Sequence, residues 1–152
     1  MKRHPVLVSL SQEHHEGLLL AVRLQQGENA LLRLWSHDPY WQAEFVVKFF
    51  EDHLVEHFDA EEQFIFPLIK SHIPEHQSII DRLQSEHDEM RASVDIFRNP
   101  DEKKLESYLK EFGKLLEEHI RCEERELFPL MEQHFSEAIF EQLNQQLQNH
   151  NK

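Results

Sequence analysis

Apolar residues recur every three or four positions along most of the chain, which is the spacing of one face of an α-helix. The pattern predicts four long helices over about 9–34, 39–69, 75–97 and 101–133, and a short helix over about 136–148. The links between them are short and carry Pro39, Pro74 and Pro100. The prediction is therefore an all-α, up-down-up-down four-helix bundle with a short extra C-terminal helix.

A few residues predict where these helices begin and end. Ser9 or Ser11 is expected to cap the first helix, Gly27 to end or bend it, and Asp101 to cap the fourth. No low-complexity segment interrupts the pattern. We expect residues 1–152 to form a single domain, with the bundle over about 8–133.

Composition excludes several classes of protein. Only 3 Gly and 6 Pro occur in 152 residues, which disfavours an all-β fold with many tight turns. The net charge is −13 and no basic stripe is present, so neither nucleic acid nor an anionic membrane is an expected partner. The apolar runs are too short to span a bilayer, and the N-terminal one does not fit a signal peptide. With one cysteine and no intramolecular disulfide, the chain is predicted to be cytoplasmic, as a monomer or homodimer.

Histidine is the unusual component: 12 His accompany 29 acidic residues. Imidazole and carboxylate together suit transition-metal ions such as iron, manganese and zinc. Two stretches place them in the same order, "HFDAEEQFIFPLI" from His57 and "HIRCEERELFPLM" from His119, which are 62 residues apart. A second alignment, at a shift of 73 residues, places Glu13 and His14 on Glu86 and His87.

The spacing within each copy has a structural meaning. Residues four apart lie one turn apart on the same face of a helix, so His57 projects with Glu61, and His119 with Glu123. His14 and His87 would approach from the other two helices. Four imidazoles and two carboxylates in one bundle core fit two cations, with both carboxylates bridging the ions. The alternative is a bundle in which these buried side chains only hydrogen-bond to one another.

Several neighbouring residues leave alternatives open. His14 is preferred over His15 as a ligand because Leu10 precedes it by one turn, as Leu83 precedes His87. His53 lies one turn before His57 and is expected to line the entrance or an interface rather than to bind metal. Cys122 is expected to be a packed thiol. The next residues after the bridging carboxylates, Glu62 and Glu124, either support the histidines or are solvated.

The segments "QEHHEGL", "HFDAEEQFIFP", "SEHDEM" and "HIRCEERELFP" resemble the haemerythrin-like (HHE cation-binding) domain family over roughly residues 8–132. The resemblance implies a four-helix bundle holding two non-haem iron ions, with Mn or Zn as possible substitutes. It implies a ligand set of His14 or His15, His57, His87 and His119, with Glu61 and Glu123 as bridges.

The resemblance also bears on function. Oxygen-carrying haemerythrin has a second histidine one turn from the ligand of its third helix, whereas here the flanking positions are Leu83 and Arg91. The remaining four-His, two-Glu set is similar to the bacterial iron-centre repair relatives. We expect a protein that binds or senses O2 or NO, or that handles oxidants and iron. The alternatives are an iron-delivery or repair factor, and an enzyme that activates peroxide or oxygen; no nucleophile motif or phosphate loop favours an enzyme.

Overall fold

The computed structural model describes residues 2–26, 35–101 and 103–150. Within these ranges the chain forms helices and short connections, with no strand. A 3-10 turn, Pro5–Leu7, leads into helix α1, Val8–Gln26, and a second one, Pro74–His76, leads into α3, Gln77–Arg98. Helix α2 runs continuously over 39–72, α4 over 105–134, and α5 is Glu137–His150. The prediction of an all-α, up-down-up-down four-helix bundle with an extra C-terminal helix is confirmed.

The predicted N-caps of the first and fourth helices are wrong, and two predictions about the end of the first helix are not tested. The chain enters α1 through Pro5, and the His4 imidazole accepts a hydrogen bond from the Val6 N–H at 3.1 Å, so Ser9 and Ser11 lie inside the helix rather than at its cap. The predicted end near residue 34 and the proposed break at Gly27 lie outside the described residues.

At the start of α4, Asp101 accepts a hydrogen bond from the Lys103 N–H at 3.1 Å. The helix itself begins at Leu105, so Asp101 stabilises the turn before the helix instead of capping it. The break before α2 is formed as the sequence indicates, because Asp38 accepts from the Tyr40 N–H at 3.0 Å and Pro39 occupies the first helical position.

Wider π turns interrupt α2 and α4 at corresponding places. Glu61–Ile65 and Glu123–Leu127 are π turns, in which the N–H of Phe66 bonds to the carbonyl of Glu61 and the N–H of Phe128 to that of Glu123. The next residue in each case is a proline, which has no N–H to donate. The π turn thus lets each helix continue through its proline, and it begins at a candidate metal ligand. A further π turn, Phe50–Leu54, lies earlier in α2.

The core consists of two apolar clusters, one toward each end of the bundle. One contains Leu20, Phe58, Met90 and Ile120, and the other contains Leu10, Ile65, Leu83 and Leu127. In every long helix a candidate ligand lies in sequence between residues of the two clusters. The buried polar residues therefore form a layer between two apolar cores.

The remaining contacts fix the helices around this layer. Helix α1 lies close along α4, where a Cβ on Gly113 would be 2.8 Å from the Ala21 carbonyl oxygen. Helix α5 buries Phe140 and Leu143 in the core, and the His4 ring stacks on Phe140 at 3.7 Å between centroids. No helix in the described ranges is both long and apolar enough to cross a membrane.

Candidate metal centre

All four long helices contribute to the polar layer. Its six candidate ligands are at most 4% exposed, because the apolar clusters cover them on both sides. Helix α1 supplies His14, α2 supplies His57 and Glu61, α3 supplies His87, and α4 supplies His119 and Glu123.

The imidazoles face one another in two pairs. Nε2 of His14 lies 3.0 Å from Nε2 of His57, and Nε2 of His87 lies 3.1 Å from Nε2 of His119. Each pair joins the two helices of one half of the sequence. If both facing Nε2 atoms were unprotonated, their lone pairs would repel each other. Each pair must therefore hold a proton or a cation between or beside its rings.

The two carboxylates connect these pairs. Glu61 places Oε1 3.1 Å from Nε2 of His87 and Oε2 3.5 Å from Nε2 of His57. Oε1 of Glu123 lies 3.0 Å from Nε2 of His119 and 3.4 Å from Nε2 of His14. The potential ligand atoms form two groups, each within 4.8 Å, that share Glu61: His14, His57, Glu61 and Glu123, and Glu61, His87 and His119.

Every one of the four imidazoles has a carboxylate at its other nitrogen. These contacts orient the rings and keep the Nδ1 proton on the outer side, which leaves Nε2 free to bind a cation. The Nδ1–carboxylate distances are 3.0 Å for His14–Glu124, 2.5 Å for His57–Glu13, 2.8 Å for His87–Glu62 and 2.9 Å for His119–Glu86.

Three carboxylate oxygens in the layer are buried without a partner in hydrogen-bonding geometry. They are Oε2 of Glu61 and both oxygens of Glu123. A buried carboxylate without donors is strongly unfavourable, and a cation among the Nε2 atoms would satisfy these oxygens directly. The donor set therefore fits metal ions better than it fits a network closed by hydrogen bonds alone.

The sequence matches the family model described as "Hemerythrin HHE cation binding domain" over residues 6–131. The chain belongs to this family. Searches of curated proteins and of solved structures gave no match. Membership in the haemerythrin-like family and the two groups of buried ligand atoms agree on a domain that binds a metal cation.

The charged groups of this haemerythrin-like centre shift one another's pKa values. Burial alone would lower the pKa of His57, but the carboxylates of Glu61 and Glu13 outweigh it and raise the pKa to about 10. Burial would raise the pKa of Glu61, yet His57 and His87 hold it well below its ordinary value. The pKa of His119 is lowered because burial prevails there.

The structure separates the alternatives left open by the sequence. His14 is buried and belongs to a ligand group, whereas His15 is exposed. His53 is exposed and belongs to neither group, and it lines a cavity beside the centre. Cys122 is buried and belongs to neither group of ligand atoms. Its burial and, to a lesser extent, the neighbouring Glu126 raise the pKa of its thiol to about 12.

Sequence reasoning missed two of the four supporting carboxylates. Glu62 and Glu124 were considered for this role, but Glu13 and Glu86 were not. The signal was present in the 73-residue repeat, which places a glutamate directly before a histidine twice. What the sequence does not contain is the direction of each contact, since Glu13 reaches His57 on the neighbouring helix and not the adjacent His14.

A small cavity adjoins the centre. It has room for about one water-sized molecule, at 10 Å³, and His14, His57 and His119 are among its lining residues. Gly17 and Ile120 form part of its apolar wall, and a Cβ on Gly17 would lie 2.7 Å from Cδ1 of Ile120. The remaining apolar lining residues are Phe49, Leu54, Phe58 and Leu116.

Proposed function

We propose that this chain binds two non-haem iron ions in the polar layer of its bundle, and that the di-iron centre binds or senses a small diatomic ligand, O2 or NO, or handles oxidants and iron. One ion would be held by His14 and His57, and the other by His87 and His119. Glu61 and Glu123 would bridge them. The observation that carries the proposal is that both carboxylates lie within 3.5 Å of imidazoles from both pairs.

The arrangement of the donors supports two ions. The Nε2 atoms form two pairs and not one cluster, and four carboxylates already occupy the Nδ1 atoms. Three oxygens of the two bridging carboxylates have no other partner. Two dications would also offset the negative charge that Glu61 and Glu123 bring into the core.

Iron is supported by ligand type together with family membership. Imidazole and carboxylate are ligands shared by iron, manganese and zinc. The ligand types therefore limit the choice of metal but do not select one of these three. The haemerythrin-like family adds the expectation of iron. Bound iron would supply redox activity and coordination positions open to a small molecule.

The diatomic ligand is supported by the cavity beside His14 and His57. It has the volume of one small molecule, and its walls are mostly apolar. No larger substrate would fit without movement of the helices. Within the chain, Gly17 preserves this space, while the buried rings and carboxylates hold the ligand imidazoles in place.

The test is metal analysis combined with an optical spectrum. After iron-replete expression we expect about two irons per chain, near-ultraviolet absorption from an oxo-bridged centre in air, and a changed spectrum with NO. His14→Ala should lower the iron content, and His15→Ala, at the exposed neighbouring position, should not. Protein that is colourless and free of iron, or that contains one iron per chain, would refute the proposal.

A further inference from the structure

The four carboxylates that support the ligand imidazoles differ in exposure. The Glu13 side chain is 50% exposed, compared with 24% for Glu62, 11% for Glu86 and 27% for Glu124. Glu13 and Glu86 occupy equivalent places in the repeat and contact equivalent histidines. One of these two equivalent contacts therefore lies at the surface and the other lies inside the protein.

The same four carboxylates also differ in how they are held. Arginines contact three of them: Arg91 pairs with Glu62 at 2.5 Å, Arg82 with Glu86 at 3.2 Å and Arg3 with Glu124 at 3.7 Å. Among the residues that the structure describes, Glu13 has no arginine partner. Its carboxylate is fixed only by His57, so it has the greatest freedom to move away from the centre.

Glu13 also faces a pocket that reaches the centre. The pocket has a volume of about 120 Å³ and lies between α1, α2 and Leu147 of α5. Its wall includes the ligand His57 itself, while His14, His87 and His119 do not line it. The other polar lining residues are Ser9, Asp52, His53 and Glu56. Three carboxylates beside one buried ligand make the potential of this pocket favourable for cations.

In the opposite pair, His119 borders the small cavity of about 10 Å³, whereas His87 borders neither this cavity nor the α1–α2 pocket. The Phe58 ring stacks on His87 at 3.9 Å between centroids and meets His119 edge-on at 5.7 Å. Phe66 stacks on His87 at 5.5 Å as Phe128 stacks on His14 at 5.4 Å, so Phe58 is the ring that distinguishes the two pairs. Arg91 lies over Phe58 at 5.7 Å from the ring centroid, outside this aromatic cover. An ion at the His87–His119 pair would have to leave past Phe58 or through the other half of the centre.

From this asymmetry we infer that cations enter and leave through the α1–α2 pocket beside Glu13, and that the His14–His57 position exchanges its ion faster than the His87–His119 position. The inference rests on the proposed two-ion centre and deepens it. It assigns Glu13 a positioning role, because its carboxylate holds His57 at the mouth of the passage. It also gives the iron-delivery alternative a physical route: one ion could be transferred while the other keeps the bundle intact.

The test uses full-length protein loaded with iron(II) under anaerobic conditions and then mixed with excess bipyridine. Absorbance of the iron–bipyridine complex should rise in two phases of equal amplitude. Glu13→Gln should accelerate the fast phase about tenfold or more, and the matched variant Glu86→Gln should accelerate the slow phase instead, because each removes the charged partner of one ligand imidazole.

A third variant closes the passage without touching a ligand or its partner. His53→Arg places a positive charge in the pocket that Glu13 also lines. It should slow both the fast phase and iron loading about fivefold or more, because the pocket then attracts cations less strongly. His15→Arg makes the same change at an exposed position of α1 that lines neither pocket, and it should leave both rates unchanged.

The outcomes separate this inference from the proposed function. An iron content of one per chain before bipyridine is added refutes the two-ion centre. Two irons that leave at a single rate, or Glu13→Gln and Glu86→Gln variants that accelerate the same phase, overturn the inference alone. If Glu13→Gln fails to load iron, His53→Arg still decides, because it keeps all six ligands and their four partners; equal rates for His53→Arg and His15→Arg overturn the inference.

Discussion

The two halves of the bundle carry the same ligand pattern in different surroundings. Helices α1 and α2 provide His14 and His57, and helices α3 and α4 provide His87 and His119, at equivalent positions of the repeat. The residues around the ligands differ at equivalent positions of the repeat. Gly17 of α1 corresponds to Met90 of α3, and Phe58 of α2 corresponds to Ile120 of α4. Gly17 and Ile120 border the small cavity, and Phe58, which also borders it, stacks directly on His87.

This difference shows which parts of the repeat serve which purpose. Spacing of histidine and glutamate is retained in both halves because it determines which atoms can meet in the core. Packing residues are free to differ, and they determine which half of the centre is open. A chain can thus keep a symmetric ligand set and still have one exposed side and one covered side.

The halves are nevertheless dependent on each other. Glu62 of the first half supports His87 of the second, and Glu124 of the second supports His14 of the first. Glu61 likewise lies between the two pairs. Each half therefore supports one of its own imidazoles and one of the other half, so variants that break the exchanged contacts should affect both halves.

The largest effect is expected from Glu61→Ala. Glu61 belongs to both groups of possible ligand atoms in the described part of the chain, so its loss should reduce the metal content to below about one ion per chain. Metal analysis with circular dichroism checks this and confirms that the helices remain. Glu62→Ala is the matched control: Glu62 contacts His87 and Arg91 but belongs to neither group of ligand atoms, so its loss should weaken binding while keeping two ions at saturating metal. Equal metal content in both variants would contradict a shared bridge.

Metal removal should have the next largest effect. If the folded chain binds its ions at free concentrations near 1,000 times the dissociation constant, loading adds about 4 kcal/mol to the free energy of unfolding, or roughly 10 °C in melting temperature. Calorimetry of loaded and chelator-treated protein measures the difference.

The single variants His57→Ala and His119→Ala then compare the halves. Each should lose about half of the metal-dependent stabilisation if the two positions contribute equally. A melting temperature that is unchanged by metal in the parent chain would instead indicate a bundle closed by hydrogen bonds.

Much of the fold could be predicted because its signal is local. Helical spacing and the prolines between segments specify four helices, and the doubled pattern specifies which residues meet in the layer. The burial of His14 and the exposure of His15 are consistent with the comparison of Leu10 with Leu83, which favours His14 as the ligand.

The parts that could not be predicted depend on the relative placement of helices. The π turns begin at Glu61 and Glu123, the two candidate bridging residues, and no pattern of apolar residues reports such a turn. Contacts such as Glu13 to His57 join different helices, so they depend on packing distances. The N-terminal cap was missed because it uses the His4 imidazole instead of a serine.

A change at Gly17 tests whether the open half determines ligand access. Gly17→Ala adds a Cβ 2.7 Å from Cδ1 of Ile120, a flexible end that can shift into the cavity. We expect both ions to stay and affinity for NO to fall about tenfold, equivalent to about 1.4 kcal/mol. Spectral titration with NO measures it.

Gly113→Ala is the control for that experiment. Its Cβ would meet the backbone oxygen of Ala21 at 2.8 Å, which cannot rotate away, so we expect a loss of about 1–3 kcal/mol in stability. Gly113 does not line the cavity, and NO affinity should be unchanged. If Gly17→Ala and Gly113→Ala weaken NO binding equally, the cavity is not the ligand's position.

The smallest effect is expected where the halves differ without consequence for the centre. Cys122 corresponds in the repeat to Ala60, and both are buried, at 4% and 5% exposure. Cys122→Ala therefore gives the second half the residue of the first, and it should cost about 1 kcal/mol or less in stability because one buried sulfur is removed. Metal content and spectrum should stay the same, since the thiol belongs to neither ligand group. In the parent chain, burial and a pKa raised to about 12 should make alkylation by iodoacetamide slow until the protein unfolds. Loss of one ion in Cys122→Ala would instead make the sulfur a ligand, and the two halves would then differ in the centre itself.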